Sequence, residues 1–160
     1  MSSVRRIESD DASAERAAFI LLRVGIPLYN GVEYSHGQDK QSIKVDGRLC
    51  WTLFDSGARN TYVIPSVAEA LRVSVPTPTV RTALGGSVKE TNRATVLNAE
   101  IEGHPITTHA LVIDDVDKDE NGTPIEILFG TLAMQQWGIR LVPDEERLDL
   151  SHYPEEFVEF

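Results

Sequence analysis

Cysteine is almost absent from this sequence of 160 residues, in which Cys50 is the single thiol. One cysteine cannot form an internal disulfide, so a reducing compartment is the natural setting. Long apolar runs are missing as well. No stretch approaches the roughly 20 residues of a membrane helix, and the N-terminus lacks a basic segment followed by an apolar one. We therefore expect a cytoplasmic protein with no membrane partner.

Basic residues are scarce relative to acidic ones. The chain has 15 Lys and Arg against 25 Asp and Glu, a formal net charge of -10 at pH 7. Such a surface repels phosphate backbones, which argues against nucleic acid as a partner. Histidines are few and dispersed, and the spacing of His104 and His109 sends them to opposite faces of a strand, which argues against a zinc site.

The composition that remains is that of one globular domain. Hydrophobic residues make up 41% and charged residues 25% of the chain, enough to bury a core. Capping residues followed by Ala and Leu predict a helix over residues 9–23. Beyond it, β-branched residues and turn residues predict mostly sheet. We expect a helical extension at 1–40, a β domain at 41–152 and a tail at 153–160.

Turn residues predict the order of elements in the β domain. Asp46-Gly47 is typical of a type I′ hairpin turn, and Gly85-Gly86 allows the positive φ of a second, mobile hairpin tip. The predicted strands are 41–45, 48–54, 80–82, 88–91, 94–101, 106–113, 125–129, 139–142 and 147–150, and the predicted helices are 65–71 and 132–137.

An apolar strand runs into an acid and small residues in Thr52-Leu53-Phe54-Asp55-Ser56-Gly57-Ala58. Asp and Gly are depleted from strands, and residues that break a local pattern are often functional. The motif therefore predicts a buried acid at Asp55. An Asp-Ser-Gly turn after a strand is also a common structural element, so the motif alone leaves that alternative open.

Four blocks in order resemble the retropepsin family of aspartic proteases over roughly residues 41–142. Residues 42–49 followed by 53–58 resemble the family's first hairpin and its Asp-Thr/Ser-Gly-Ala motif. Leu84-Gly85-Gly86-Ser87 sits where the glycine-tipped flap belongs. Residues 101–113 resemble the paired strands after the flap, and residues 125–139 resemble the strand, glycine and terminal helix that close the core.

The resemblance implies a mostly β, single-lobe closed barrel with short helices, and an aspartic endopeptidase without a cofactor. Since the chain has one Asp-Ser-Gly motif, a homodimer must supply the second carboxylate. Two facing carboxylates cannot both stay ionised, and aspartic proteases are the usual example of this effect. One carboxyl therefore donates a proton while the other activates water. By resemblance, Asp55 is catalytic, and Ser56, Gly57 and Ala58 form its loop. Leu84 to Ser87 close over a peptide substrate.

Apolar residues near these blocks are candidate walls of the substrate cleft, although each also suits a core position. These candidates are Ala58, Val63, Val88 and Ile127.

The sequence also departs from the family pattern. Many retroviral members carry an acid after the motif and an Arg after the late glycine, where this chain has Arg59 and Thr131. This chain therefore lacks an ion pair that helps to stabilise the retroviral dimer. We expect other contacts to stabilise its dimer, and the hairpin at 139–150 is the candidate interface.

Two alternatives compete with catalysis. The stretch from Asp117 to Gly122 matches the first half of a calcium loop, but its twelfth position is Leu128 instead of Glu, which favours a solvated acidic loop. A retropepsin-fold dimer that binds peptides or holds an assembly together without cutting them is the second alternative, since one fold hosts several functions. The desolvation cost of a buried acid argues against a retired site.

Overall fold

The structure, a computed structural model, describes residues 38–155. The helix predicted over 9–23 lies outside the described residues, as do nearly all of the extension at 1–40 and the last five residues of the tail.

The described chain is built mainly from strands, with two short helices. In chain order the elements are β1 (Gln38–Val45), β2 (Arg48–Asp55), β3 (Thr61–Val63), α1 (Pro65–Leu71), β4 (Val75–Leu84), β5 (Ser87–Ile101), β6 (His104–Val112), β7 (Asp117–Lys118), β8 (Pro124–Ile125), β9 (Ile127–Gly130), α2 (Thr131–Gln136), β10 (Arg140–Val142), a 3₁₀ turn (Pro143–Glu145) and β11 (Arg147–Asp149).

The main sheet closes on itself. Its strand order is β1-β2-β9-β3-β6-β5-β4, and Lys44 of β1 also pairs with Glu100 of β5, which joins six of these strands into a barrel. The pairs β2–β9 and β3–β6 are parallel, whereas β3 and β9 are antiparallel. This confirms the expected mostly β, closed, single-lobe fold. The parallel register places Asp55 opposite Gly130.

The predicted tight turns are present. Asp46 and Gly47 have φ of 47° and 78°, and Gly85 and Gly86 have φ of 54° and 85°, the positive values that a type I′ turn requires. The helix predicted at 65–71 has those bounds, and the hairpin predicted at 139–150 forms as β10 and β11.

Three predicted strands were wrong in detail. The strands predicted at 88–91 and 94–101 are one continuous strand, β5, of 15 residues. Its first half is largely exposed, so the sequence there carries little apolar pattern although the backbone stays paired with β4. The strand predicted at 125–129 is interrupted at Glu126, whose backbone N–H donates to Trp51 and whose carbonyl accepts from Ile64.

Buried side chains form two clusters on opposite faces of the sheet. The first cluster contains Cys50, Phe54 and Phe129, and the two phenyl rings lie 5.1 Å apart. Burial raises the pKa of the Cys50 thiol, which favours a packing role over a nucleophilic one. The second cluster contains Leu53 and eight other residues: Tyr62, Leu84, Ala94, Leu111, Ile113, Val116, Ile125 and Leu128.

Candidate active site

Asp55 is the last residue of β2, and its carboxylate is fixed by the turn that follows. Oδ1 accepts a hydrogen bond of 2.7 Å from the backbone N–H of Gly57. The N–H of Ala58 donates to the backbone carbonyl of Asp55 at 3.2 Å. Small residues suit this tight turn, in which the carboxylate keeps one orientation relative to the strand. Asp55 is half-buried, and so is less buried than the motif predicted, because it lies at the end of β2. A fixed and partly desolvated acid is suited to proton transfer.

The loop after Asp55 is held by the N-terminus of α2. The N–H of Thr131 donates to the carbonyl of Ala58 at 2.7 Å, and that of Leu132 donates to the carbonyl of Arg59 at 3.1 Å. The loop passes so close to Gly130 that an added Cβ would lie 2.2 Å from the carbonyl oxygen of Asn60. Glycine is therefore required here for space, since its φ of -92° suits any residue.

Thr131 makes a contact that the sequence did not reveal. Its hydroxyl donates a hydrogen bond of 2.8 Å to the backbone carbonyl of Ser56. Where many retroviral members carry an Arg, this chain thus has a short side chain that ties the helix to the active-site loop within one subunit. The departure from the family pattern could have directed attention to this position, but the partner, a backbone carbonyl, leaves no signal in a sequence.

Replacing Thr131 by Val is expected to lower the free energy of unfolding by about 1 kcal/mol, because it removes one partly buried hydrogen bond and keeps the shape of the side chain. Urea unfolding at fixed protein concentration measures this loss. Thr107→Val is the matched control, since it removes the exposed bond to Asn98 and should change little. Equal stability of the Thr131 variant and wild type would contradict a supporting role for this hydroxyl.

The second cluster lies on the same face of the sheet as Asp55. Side chains alternate along β2, so Leu53 and Asp55 share one face while Phe54 points to the other. Tyr62 pairs with Leu128, and both belong to this cluster. An apolar surface, whose residues are buried in this structure, therefore extends from the carboxylate across the neighbouring strands.

Two of the four predicted cleft walls lie on the wrong face. Ala58 packs against the second cluster, and its role as a wall residue stays a prediction. The prediction that Val63 and Ile127 line the cleft was wrong, because both are fully buried in the first cluster on the opposite face. Val88 is 72% exposed and belongs to neither buried cluster. Leu53 and Leu128, which the sequence did not single out, lie on the same face as Asp55, where they too are buried, 8% and 3% exposed.

The hairpin of β4 and β5 covers this surface. Leu84 at the end of β4 is 8% exposed and belongs to the second cluster. The Ser87 hydroxyl closes the tip by donating to the carbonyl of Leu84 at 3.1 Å. Farther down, the hydroxyls of Tyr62 and Thr82 lie 2.9 Å apart, which links the hairpin to β3. The four predicted flap residues, Leu84 to Ser87, thus form the tip of a hairpin over the apolar face beside Asp55.

The acidic loop directs its central carboxylate toward donors of its own chain. Asp119 accepts hydrogen bonds from the backbone N–H groups of Asn121 and Thr123 and from the indole of Trp51. Partial burial raises the pKa of this carboxyl, but these bonds lower it by more, so the pKa lies below its ordinary value. Over residues 38–155, no cluster of three or more acidic, His or Cys side chains is arranged to hold a metal ion.

A sequence profile described as aspartyl protease matches residues 42–132, more than half of the chain. The chain belongs to the aspartyl protease family. The match runs from β1 into the first residues of α2 and so includes Asp55, the flap and Gly130. The curated protein sequences yield no match. Among the residues that the structure describes, no helix of this aspartyl protease has the length and apolarity needed to cross a membrane.

Solved structures of retroviral-type proteases resemble the fold. The crystal structure of the retroviral protease-like domain of Ddi1 from Leishmania major superimposes with a TM-score of 0.51 and 17% identity, covering 72% of this chain and 89% of that one. EIAV protease complexed with the inhibitor HBY-793 has a TM-score of 0.44 and 20% sequence identity, and the match covers 72% of this chain and 99% of that one. The foamy viral protease-reverse transcriptase in complex with an RNA/DNA hybrid has a TM-score of 0.46 and 11% sequence identity, and the match covers 68% of this chain and 12% of that one. The similarity to the Ddi1 domain shows that the aspartyl protease has a retropepsin-like fold.

Proposed function

We propose that this aspartyl protease is an active endopeptidase that hydrolyses peptide bonds as a homodimer. The observation that carries the proposal is the position of Asp55, which is held by the Gly57 N–H at the edge of an apolar surface beneath the flap. One chain supplies one such carboxylate, whereas the chemistry needs two. A two-fold axis beside Asp55 would bring the second carboxylate from an identical chain.

In this dimer the two Asp55 carboxyls share one proton, because two like charges a few ångströms apart cannot both stay ionised. The ionised member takes a proton from a water molecule as it attacks the scissile carbonyl. The protonated member stabilises the oxygen on which negative charge develops. The mechanism needs one protonated and one ionised carboxyl, so we expect activity to fall at high pH.

The substrate is a peptide in extended conformation between the flap and the apolar surface. Backbone groups of such a peptide would pair in the manner of strands, and alternate side chains would reach the second cluster. By the family resemblance, the Ser56 hydroxyls cross-link the two active-site loops and Gly57 offers its carbonyl to the substrate. A peptide library incubated with the wild-type protein from acidic to neutral pH tests the activity. Binding without cleavage would favour the peptide-binding module instead.

We expect the protein to sediment as a dimer at micromolar concentration. Exposed apolar side chains near the active-site end of the barrel support this: Leu132, beside the active-site loop, is 49% exposed, and Val88 at the flap is 72% exposed. Burying them against a second copy would be favourable. Sedimentation equilibrium measures the association. A strictly monomeric species at high micromolar concentration would leave the dyad without its second carboxylate and contradict the proposal.

The hairpin of β10 and β11 remains our proposed interface element. It forms a two-stranded sheet of its own, so among the described residues each strand has one edge without a strand partner. Truncation at Pro143 is an unsuitable test, because Leu148 is buried in the first cluster and its loss would damage the subunit. Arg140→Glu reverses a charge on the exposed side of β10 and should weaken the dimer, whereas Arg72→Glu after α1 should not. Equal dissociation constants would place the interface elsewhere.

A further inference from the structure

The flap tip is docked on a loop of its own chain. Leu84 packs in the second cluster together with Val116, from the loop between β6 and β7. A Cβ added to Gly85 would lie 2.8 Å from Oδ2 of Asp117, the first residue of β7, so the tip lies close to that carboxylate. An equivalent atom on Gly86 would meet nothing within 4 Å. The crowded side of the tip therefore faces the segment where the loop after β6 enters β7 at Asp117.

An ion pair reinforces this contact. Nζ of Lys89, on β5, lies 2.7 Å from Oδ2 of Asp115, on the same loop. The Lys89 side chain is only 16% exposed, although that of Asp115 is 73% exposed, so solvent screens the pair less than it screens one between two fully exposed groups. A second ion pair of the hairpin, Arg81 with Glu90, joins β4 to β5 and makes no link to the loop.

We propose that Lys89 and Asp115 form a latch that positions the flap, so that Leu84 occupies the place which an apolar substrate side chain must enter. The role of the latch in turnover rests on the proposed function, whereas its effect on flap opening does not. Substrate binds to the open form, so its apparent affinity is reduced by the fraction of molecules that are open. Lys89 and Asp115 are positioning residues. Weakening their ion pair should lower KM and leave kcat unchanged.

Hydrogen exchange of the full chain, read by mass spectrometry over peptides covering 80–91, tests the latch directly. Lys89→Met and Asp115→Asn should each accelerate exchange at the flap tip about fivefold, the size expected for a partly exposed ion pair. The double variant Lys89→Asp/Asp115→Lys restores opposite charges and should return exchange toward the wild-type rate. Glu90→Gln breaks the ion pair within the hairpin and should leave tip exchange unchanged.

These outcomes separate the latch from the protease proposal. An inactive protein whose flap exchange follows this pattern supports the latch and removes only the catalytic role. Wild-type exchange rates in both single variants would overturn the latch even in an active enzyme, as would acceleration of the same size in Glu90→Gln. If the protein is active, a KM that falls about fivefold in Asp115→Asn at constant kcat supports the latch, and an unchanged KM contradicts it.

Discussion

Asp55→Asn is expected to reduce peptide cleavage at least about a thousandfold while the fold and the dimer persist. Asn is nearly isosteric with Asp, and its side-chain oxygen can still accept the hydrogen bond from the Gly57 N–H. An amide can neither take a proton from water nor share one with a facing carboxyl. Initial rates on a cleaved peptide from the library measure the loss. Asp46→Asn, at an exposed turn far along the hairpin, is the matched control and should keep full activity.

The same substitution should preserve or slightly raise thermal stability at neutral pH. Two carboxylates forced together oppose assembly of the dimer, and Asn removes that repulsion. The gain should disappear as the pH falls far enough to protonate one member of the wild-type pair. Activity and stability would then move in opposite directions. An Asp55→Asn protein that cleaves as fast as wild type would exclude Asp55 as the catalytic acid.

Gly130→Ala is expected to destabilise the protein by about 3 kcal/mol or more, the largest effect we predict for a single added methyl group. The new Cβ would lie 2.2 Å from the Asn60 carbonyl oxygen and 2.9 Å from that of Arg59. The backbone of Asn60 and Arg59 cannot move aside as a flexible side chain does. The active-site loop must therefore shift away from the N-terminus of α2. Cleavage should fall together with stability, because the same loop carries Asp55.

Gly47→Ala provides the control for this prediction. Gly47 has a φ of 78° and open space around its Cβ position, so Ala there is strained in backbone conformation but meets no atom within 4 Å. We expect it to cost about 1 kcal/mol and to leave cleavage intact. Urea unfolding of both variants at one protein concentration measures the difference. A Gly130 variant at least as stable as the Gly47 variant would show that the loop tolerates displacement from the helix.

Local turn chemistry made much of the fold predictable from the sequence. Asp46-Gly47 and Gly85-Gly86 specify hairpins because few residues adopt positive φ, and the strands on either side follow from those turns. The turn after Asp55 was predictable because Asp55-Ser56-Gly57 interrupts a strand pattern. The bond from the Gly57 N–H that fixes the Asp55 carboxylate needed no information from elsewhere in the chain.

Contacts between distant segments were not predictable in the same way. The prediction that Val63 and Ile127 line the cleft was wrong because neighbouring residues of a strand face opposite sides of the sheet. An error of one residue therefore places a core residue in the cleft. Leu53 and Leu128 meet beside Asp55 only through the parallel pairing of β2 with β9. The polar first half of β5 concealed a continuous strand, because both its faces are largely exposed where it extends into the flap.

The most direct test of the account is to titrate Asp55→Asn protein into wild type and follow peptide cleavage. If each active site needs one Asp55 from each subunit, mixed dimers are inactive. A ninefold excess of the variant should then reduce cleavage to about a tenth of that of wild type alone, provided that subunits exchange and dimers are saturated. Cleavage that does not change with added variant would contradict a shared dyad, and wild type that cleaves no peptide at any pH would contradict the protease itself.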